Sequence, residues 1–206
     1  MKRLRRLLRK TAFYPFWKRL GHYPDFWYWN LRGRPARPPH LLKQRLVRSA
    51  AQAHHLRVLV EAGTYFGEMV SALKTHFEQI YTIEFDPRFA ELAARRFRRF
   101  PGIHVLQGSS DCLIPQVLAQ LNQPALFWLD AGYCAWNGSF ADSSRLLTEL
   151  NAILADSRFR HVVLIDDVVP FSGLDGTPDA GELMNYIQQQ FPGRAPRVMC
   201  GILIVA

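Results

Sequence analysis

The stretch Val58-Leu-Val-Glu-Ala-Gly-Thr-Tyr-Phe-Gly67, with Ile83-Glu84-Phe85-Asp86 after it, constrains this chain more than any other feature. An apolar run of strand length meets an acid and a glycine turn. A helical pattern follows, then a second strand that also ends in a carboxylate. This order predicts the adenosine-binding half of a doubly wound α/β fold.

The rest of the chain continues the alternation. Strands are expected at about 57–62, 80–84, 103–107, 125–130 and 161–166, with helices near 67–78, 87–99, 111–121, 141–155 and 179–190. Residues 40–55 read as a further helix, its rhythm set by Leu41, Leu42, Arg45, Leu46 and Ala50. Arg197-Val-Met-Cys-Gly-Ile-Leu-Ile-Val-Ala206 reads as an antiparallel hairpin turning at Cys200-Gly201. Strands separated by helices imply a mostly parallel, Rossmann-like sheet with right-handed crossovers.

Charge divides the chain into an arm, residues 1–40, and a body, residues 41–206. Residues 1–57 carry 15 Lys and Arg against the single acid Asp25, whereas residues 58–206 carry 11 against 16 acids. Leu4, Leu7, Leu8 and Ala12 give the basic arm a helical spacing that Pro15 stops or kinks. Residues 13–29 are dense in aromatics, and residues 32–39 read as an extended linker. Three scattered cysteines exclude a disulfide framework or a zinc site, and point to reduced thiols and a cytoplasmic setting. No apolar run is long enough to span a bilayer, and the basic N-terminus lacks the apolar core of a secretory signal.

The glycine count separates two nucleotide chemistries. A dinucleotide fingerprint uses three glycines, so that backbone and a helix N-terminus approach a pyrophosphate. Here only Gly63 and Gly67 are present, and Glu68 in the first helical turn would repel a diphosphate. S-adenosylmethionine has no phosphate and carries a sulfonium and an amino group, which acids at strand ends accommodate. The expected contacts are Glu61 on the amino group, Gly63 at the close approach with Thr64, Tyr65 and Gly67 in the same turn, and Glu84 on both ribose hydroxyls. Ser109 and Ser110 lie where an adenine-contacting loop belongs, with helix capping as their alternative role.

Asp130 ends the fourth strand, and Asp166-Asp167 ends the fifth. In this topology the two strands are neighbours about 4.8 Å apart, so three carboxylates converge. They would repel one another unless a cation balanced them. An all-oxygen set suits Mg²⁺ or Ca²⁺. Such an ion would orient an acceptor hydroxyl and lower its pKa. The alternative is that Asp166 or Asp167 caps a turn, because both reach one ion only if the strand has already ended.

These motifs (Val-Glu-Ala-Gly-Thr-Tyr-Phe-Gly, Ile-Glu, Leu-Asp and Leu-Ile-Asp-Asp) make residues 57–206 resemble the class I S-adenosylmethionine-dependent methyltransferases. The resemblance is to the cation-dependent O-methyltransferases of the catechol and macrolide- or aminocoumarin-sugar types. It implies a metal set of Asp130, Asp166 and Asp167, and a cofactor set that includes Glu61, Gly63, Gly67 and Glu84. Asp130 also lies at the donor's edge. Members of that group carry a His or Lys base after the fourth strand. This chain has Asp130-Ala-Gly-Tyr133, which leaves Asp130 and Tyr133 as the catalytic candidates, and an unperturbed tyrosine ionises only near about pH 10.

The implied activity is O-methylation of a hydroxyl on a small-molecule or glycosidic acceptor, with Mg²⁺ as the assisting ion. A methyltransferase-like binding module that has lost its base, attached to a membrane surface, is the second reading. Basic residues with interleaved Trp and Tyr suit an anionic membrane interface for residues 1–38. The aromatic segment also suits packing on the body or a homodimer contact. Nucleic-acid amino-methylation is disfavoured, because the Asn/Asp-Pro-Pro-aromatic segment typical of it is absent after the fourth strand.

Overall fold

The computed structural model describes residues 29–31, 38–130, 143–168 and 180–206. The predicted helix over residues 1–20, nearly all of the aromatic arm, the linker to residue 37 and Tyr133 lie outside the described residues. Trp29, the last aromatic of the arm, is buried.

In chain order the elements are α1 (His40–Ala53), β1 (Val58–Ala62), α2 (Glu68–Leu73), β2 (Gln79–Glu84), α3 (Pro87–Phe97), β3 (Ile103–Gln107) and α4 (Ser110–Gln120). There follow β4 (Ala125–Asp130), α5 (Ser143–Leu154), β5 (Val162–Asp166), α6 (Ala180–Gln190), β6 (Pro196–Met199) and β7 (Ile202–Val205). The strands form one sheet in the order β3-β2-β1-β4-β5-β7-β6. Strands β1 to β5 are parallel, and β7 runs antiparallel to both β5 and β6. The terminal hairpin turns at Cys200-Gly201, where both residues take positive φ.

Strand alternation sorts the core into two layers. Val58, Val60, Phe127 and Ile165 face α4, α5 and α6. Leu59, Leu126, Trp128 and Leu164 face α1, α2 and α3. Both faces of the central strands are covered, which is why β5 reads as an apolar run ending in Asp166 and β1 as an apolar run broken only by Glu61, one residue before its end.

Two details differ from the sequence expectation. Helix α2 ends at Leu73 instead of near residue 78, because the chain must turn to bury Phe77 and start β2 at Gln79 opposite Val58. The buried stripe of α1 is Val47 and Ala51, with Leu46 and Ala50 packed beside it, while Arg45 is exposed. This stripe carries the helix onto β4 and α2.

Gly67 precedes α2 in the left-handed conformation (φ 67°), and a Cβ there would lie 2.6 Å from Phe97 Cε2. It is the packing of α3 on this turn that demands a glycine. Gly67→Ala is expected to cost about 2–4 kcal/mol, from left-handed backbone and overpacking together. Chemical denaturation checks this, and Phe97→Leu in the same background should recover part of the loss. Unchanged stability would refute the assignment.

Candidate functional site

The acids gather on one face because they share a side-chain parity. Glu61 is the register partner of both Thr82 on β2 and Trp128 on β4. Two residues further along, Gly63, Glu84 and Asp130 continue the same face, and Asp130 is the register partner of Asp166. That face is the one on which α1 and α2 pack. Beyond the carboxyl ends of β1 and β4 it opens into a cleft of about 270 Å³, lined by residues of both strands and the turn after β1 (Glu61, Gly63, Thr64, Tyr65, Phe66, Trp128, Asp130), by Glu68 and Met69 of α2, by His40 and Lys43 of α1, and by Asp166.

Glu61 is 2% exposed and is one of the four acids that line the cleft. Its Oε2 accepts from Thr82 Oγ1 at 2.5 Å, and Thr82 lies 2.6 Å from Thr64 Oγ1. Each hydroxyl has one proton, so Thr64 donates to Thr82 and Thr82 to Glu61. Burial pushes Glu61 up to about 8; the Thr82 hydrogen bond opposes this, and the charges of Asp130 and Glu84 add to it. Gly63 has φ 99°, a backbone conformation that strains any residue with a side chain, and a Cβ there would make only ordinary contact with Asp130 Cβ at 3.4 Å.

Glu84, the residue expected on the ribose, has both carboxylate oxygens bonded to backbone N–H groups. It is 1% exposed and does not line the cleft. Its Oε2 accepts from the Tyr65 N–H at 2.7 Å and its Oε1 from the Asp86 N–H at 2.9 Å. The carboxylate thus clasps the turn after β1, where Tyr65 takes a left-handed φ of 47°, to the turn after β2. Gly67, Ser109 and Ser110 also lie outside the cleft lining. Ser109 Oγ donates to Asp111, and Ser110 Oγ donates to Glu149, whose carboxyl burial raises to about 7. Ser109 occupies the N-cap position of α4 without a side-chain cap bond.

Carboxylate oxygens of Asp130, Asp166 and Asp167 come within 4.8 Å of one another. Asp167 has left β5 and has a positive φ of 52°, which brings its carboxylate to the same side as that of Asp166. The Asp167 N–H also donates to Asp166 Oδ1 at 2.8 Å. Burial pushes Asp166 up to about 6, the Lys43 charge opposing and the Asp167 and Asp130 charges adding.

Sequence reasoning misses Lys43. Its Nζ donates to Asp166 Oδ2 and, at 3.2 Å, to Asp167 Oδ1. Burial works to lower the Lys43 pKa, but the Asp166 and Asp167 carboxylates override it and hold the ammonium above its ordinary value. One turn earlier on α1, His40 Nε2 lies 3.5 Å from Glu68, and His40 Nδ1 accepts from Gln44 Nε2 at 3.1 Å. Lys43, Val47 and Ala51 recur every four residues on one helix face, and that spacing is the signal that could have found it. The three aspartates offer the hard oxygen donors that a divalent ion takes, yet two of them are already bonded to this ammonium. An entering ion would compete with it for those oxygens.

No family model matches the chain, and no curated protein matches it. Solved structures do. An O-methyltransferase from Bacillus cereus in complex with SAH superposes with a TM-score of 0.55 at 15% identity, over 86% of each chain. SAH-bound PaMTH1, a methyltransferase from Podospora anserina, gives 0.53 at 15% identity, over 88% of this chain and 85% of that one. The O-methyltransferase TomG from Streptomyces achromogenes, in complex with SAM, gives 0.52 at 18% identity, over 79% and 78%. At these identities the likeness is one of fold.

Proposed function

We propose that this chain, whose fold is that of the class I methyltransferases, transfers a methyl group from S-adenosylmethionine to a hydroxyl of a small-molecule or glycosidic acceptor. The observation that carries the proposal is Glu61. It is a buried carboxylate facing a cleft at the carboxyl ends of β1 and β4, two residues before Gly63 and with the Glu68 carboxylate lining the same cleft.

S-adenosylmethionine supplies an electrophilic methyl on sulfur. In this reading Glu61 pairs with the donor's amino group, and Gly63 leaves its backbone room. Glu84 holds the Tyr65 turn and offers ribose hydroxyls the lone pairs that its two backbone bonds leave. Asp130, at the edge of the same cleft, would orient the acceptor hydroxyl and take its proton as the methyl–oxygen bond forms and the methyl–sulfur bond breaks, with the electron pair left on the sulfur of S-adenosylhomocysteine; Tyr133 is the second candidate for that proton. The three-aspartate set is the place for an assisting cation, and Lys43 and Mg²⁺ are its competing occupants.

Calorimetry with S-adenosylhomocysteine and with NAD, each with and without Mg²⁺, tests the reading. S-adenosylhomocysteine is expected to bind and NAD not to; NAD binding alone would overturn it. Tight S-adenosylhomocysteine binding with no methyl release on any hydroxyl acceptor would favour a binding module without turnover. The positive arm supports attachment to an anionic membrane. Liposome co-sedimentation of the full chain against one lacking residues 1–38 tests this, and equal pelleting would remove it.

A further inference from the structure

We propose that the Lys43 ammonium is the resident counter-cation of the Asp130, Asp166 and Asp167 cluster, standing where a divalent ion would sit, so that part of the cluster's negative charge is balanced without metal. This inference rests on the methyltransferase reading for its catalytic meaning, but its binding test is independent of it.

Three observations converge. The first is reach: one ammonium contacts carboxylates on both Asp166 and Asp167, the two residues that would have to clamp an ion together. Placement is the second. Lys43 lies on the helix face whose next residues, Val47 and Ala51, are buried, so packing of α1 against β4 and α2 fixes where its stem begins. Enclosure is the third: the Lys43 side chain is 16% exposed and that of Asp166 is 4% exposed, so water screens the pair weakly.

The chemistry differs from that of a metal in kind. A divalent ion accepts oxygen lone pairs, and can chelate two hydroxyls of a diol at once. An ammonium offers point-like N–H donors and accepts nothing. It can neutralise part of the cluster's charge and donate to one acceptor oxygen, but it cannot chelate. The acceptor class that follows carries a single reactive hydroxyl, with no neighbouring hydroxyl required for binding.

The test is Mn²⁺ binding, read as loss of the free-ion electron paramagnetic resonance signal, on the full chain and its variants. Wild type is expected to retain no Mn²⁺ at millimolar concentration. Lys43→Met is expected to retain one ion per chain, at least tenfold more tightly, and Asp166→Asn added to it should abolish that binding. Lys43→Arg, which keeps the charge, should behave as wild type does.

Stoichiometric Mn²⁺ uptake by wild type that Asp166→Asn removes would overturn the proposal, as would a folded Lys43→Met variant that gains none. Should Lys43→Met fail to fold, Asp166→Asn in the same chain decides the matter. Restored folding shows that the ammonium balances that carboxylate, and continued failure overturns the proposal. An S-adenosylhomocysteine titration of the same samples keeps the two readings apart. Absence of binding there sinks the methyl-donor reading and leaves the Mn²⁺ result standing.

Discussion

Glu61→Gln is expected to make the ligand-free chain more stable at pH 8 while lowering its affinity for S-adenosylhomocysteine by about 100-fold or more. Both effects come from one carboxylate that is 2% exposed and raised from an ordinary 4.5 to about 8 by burial. Between those values the folded chain holds a proton that the unfolded chain has released. Stability contributed by this group is therefore complete below the unfolded value and falls as pH rises toward 8, at up to about 1.4 kcal/mol per pH unit. Glutamine carries no such charge, so its curve should lack that decline. Asp166 and Glu149, raised to about 6 and about 7 by burial, add declines of the same sign in both proteins.

Binding runs the other way. A cationic amino group at Glu61 favours the ionised carboxylate, so binding expels the proton. Wild-type affinity should then rise about tenfold per pH unit up to roughly pH 8, and then level off. Glutamine leaves the amino group without its counter-charge at every pH. Thermal melts and calorimetry from pH 5 to 9 measure both quantities. Parallel melting curves for the two proteins, or equal affinity, would refute the role given to Glu61.

Glu84→Ala is expected to destabilise the fold by about 3 kcal/mol or more, and to abolish cofactor binding with it. The carboxylate accepts from the backbone N–H groups of Tyr65 and Asp86 at 2.7 and 2.9 Å. Hydrogen bonds to a charged acceptor contribute about 1.5–3 kcal/mol each, and removing the acceptor orphans both donors. The turn that it releases carries Gly63 and Thr64 into the cleft, so loss of stability and loss of the site are one event. Glu84→Gln keeps one oxygen and turns an amide NH₂ toward one N–H, so about half the loss should remain. If Glu84 served the ribose alone, Glu84→Gln would bind weakly and melt normally. Urea denaturation of both variants separates the cases, and a wild-type melt for Glu84→Ala rejects the clasp.

Much of this site is legible in the amino-acid sequence. Apolar runs closed by an acid locate the mouths of β1, β2, β4 and β5, and the period of two places Glu61, Asp130 and Asp166 on a shared face once the strands pair. The same period requires Asp167 to leave the strand in order to join Asp166, and its positive φ meets that requirement. The helix over residues 40–55 also follows from its pattern, but its inward stripe does not. The leucines suggest one face, whereas the fold buries Val47 and Ala51 and turns Lys43 toward the acids.

Local pattern therefore settles the strands, the acids at their mouths and the glycine in the turn after β1. Such features depend on a few adjacent residues and on steric rules that hold in any context. The partner of Lys43 lies 123 residues away, the ring that forces Gly67 to lack a side chain sits on α3, and both oxygens of Glu84 are claimed by turns that meet only once the sheet has closed. Contacts of this kind are set by how helices and turns dock on the finished sheet, and no short window of residues contains that geometry.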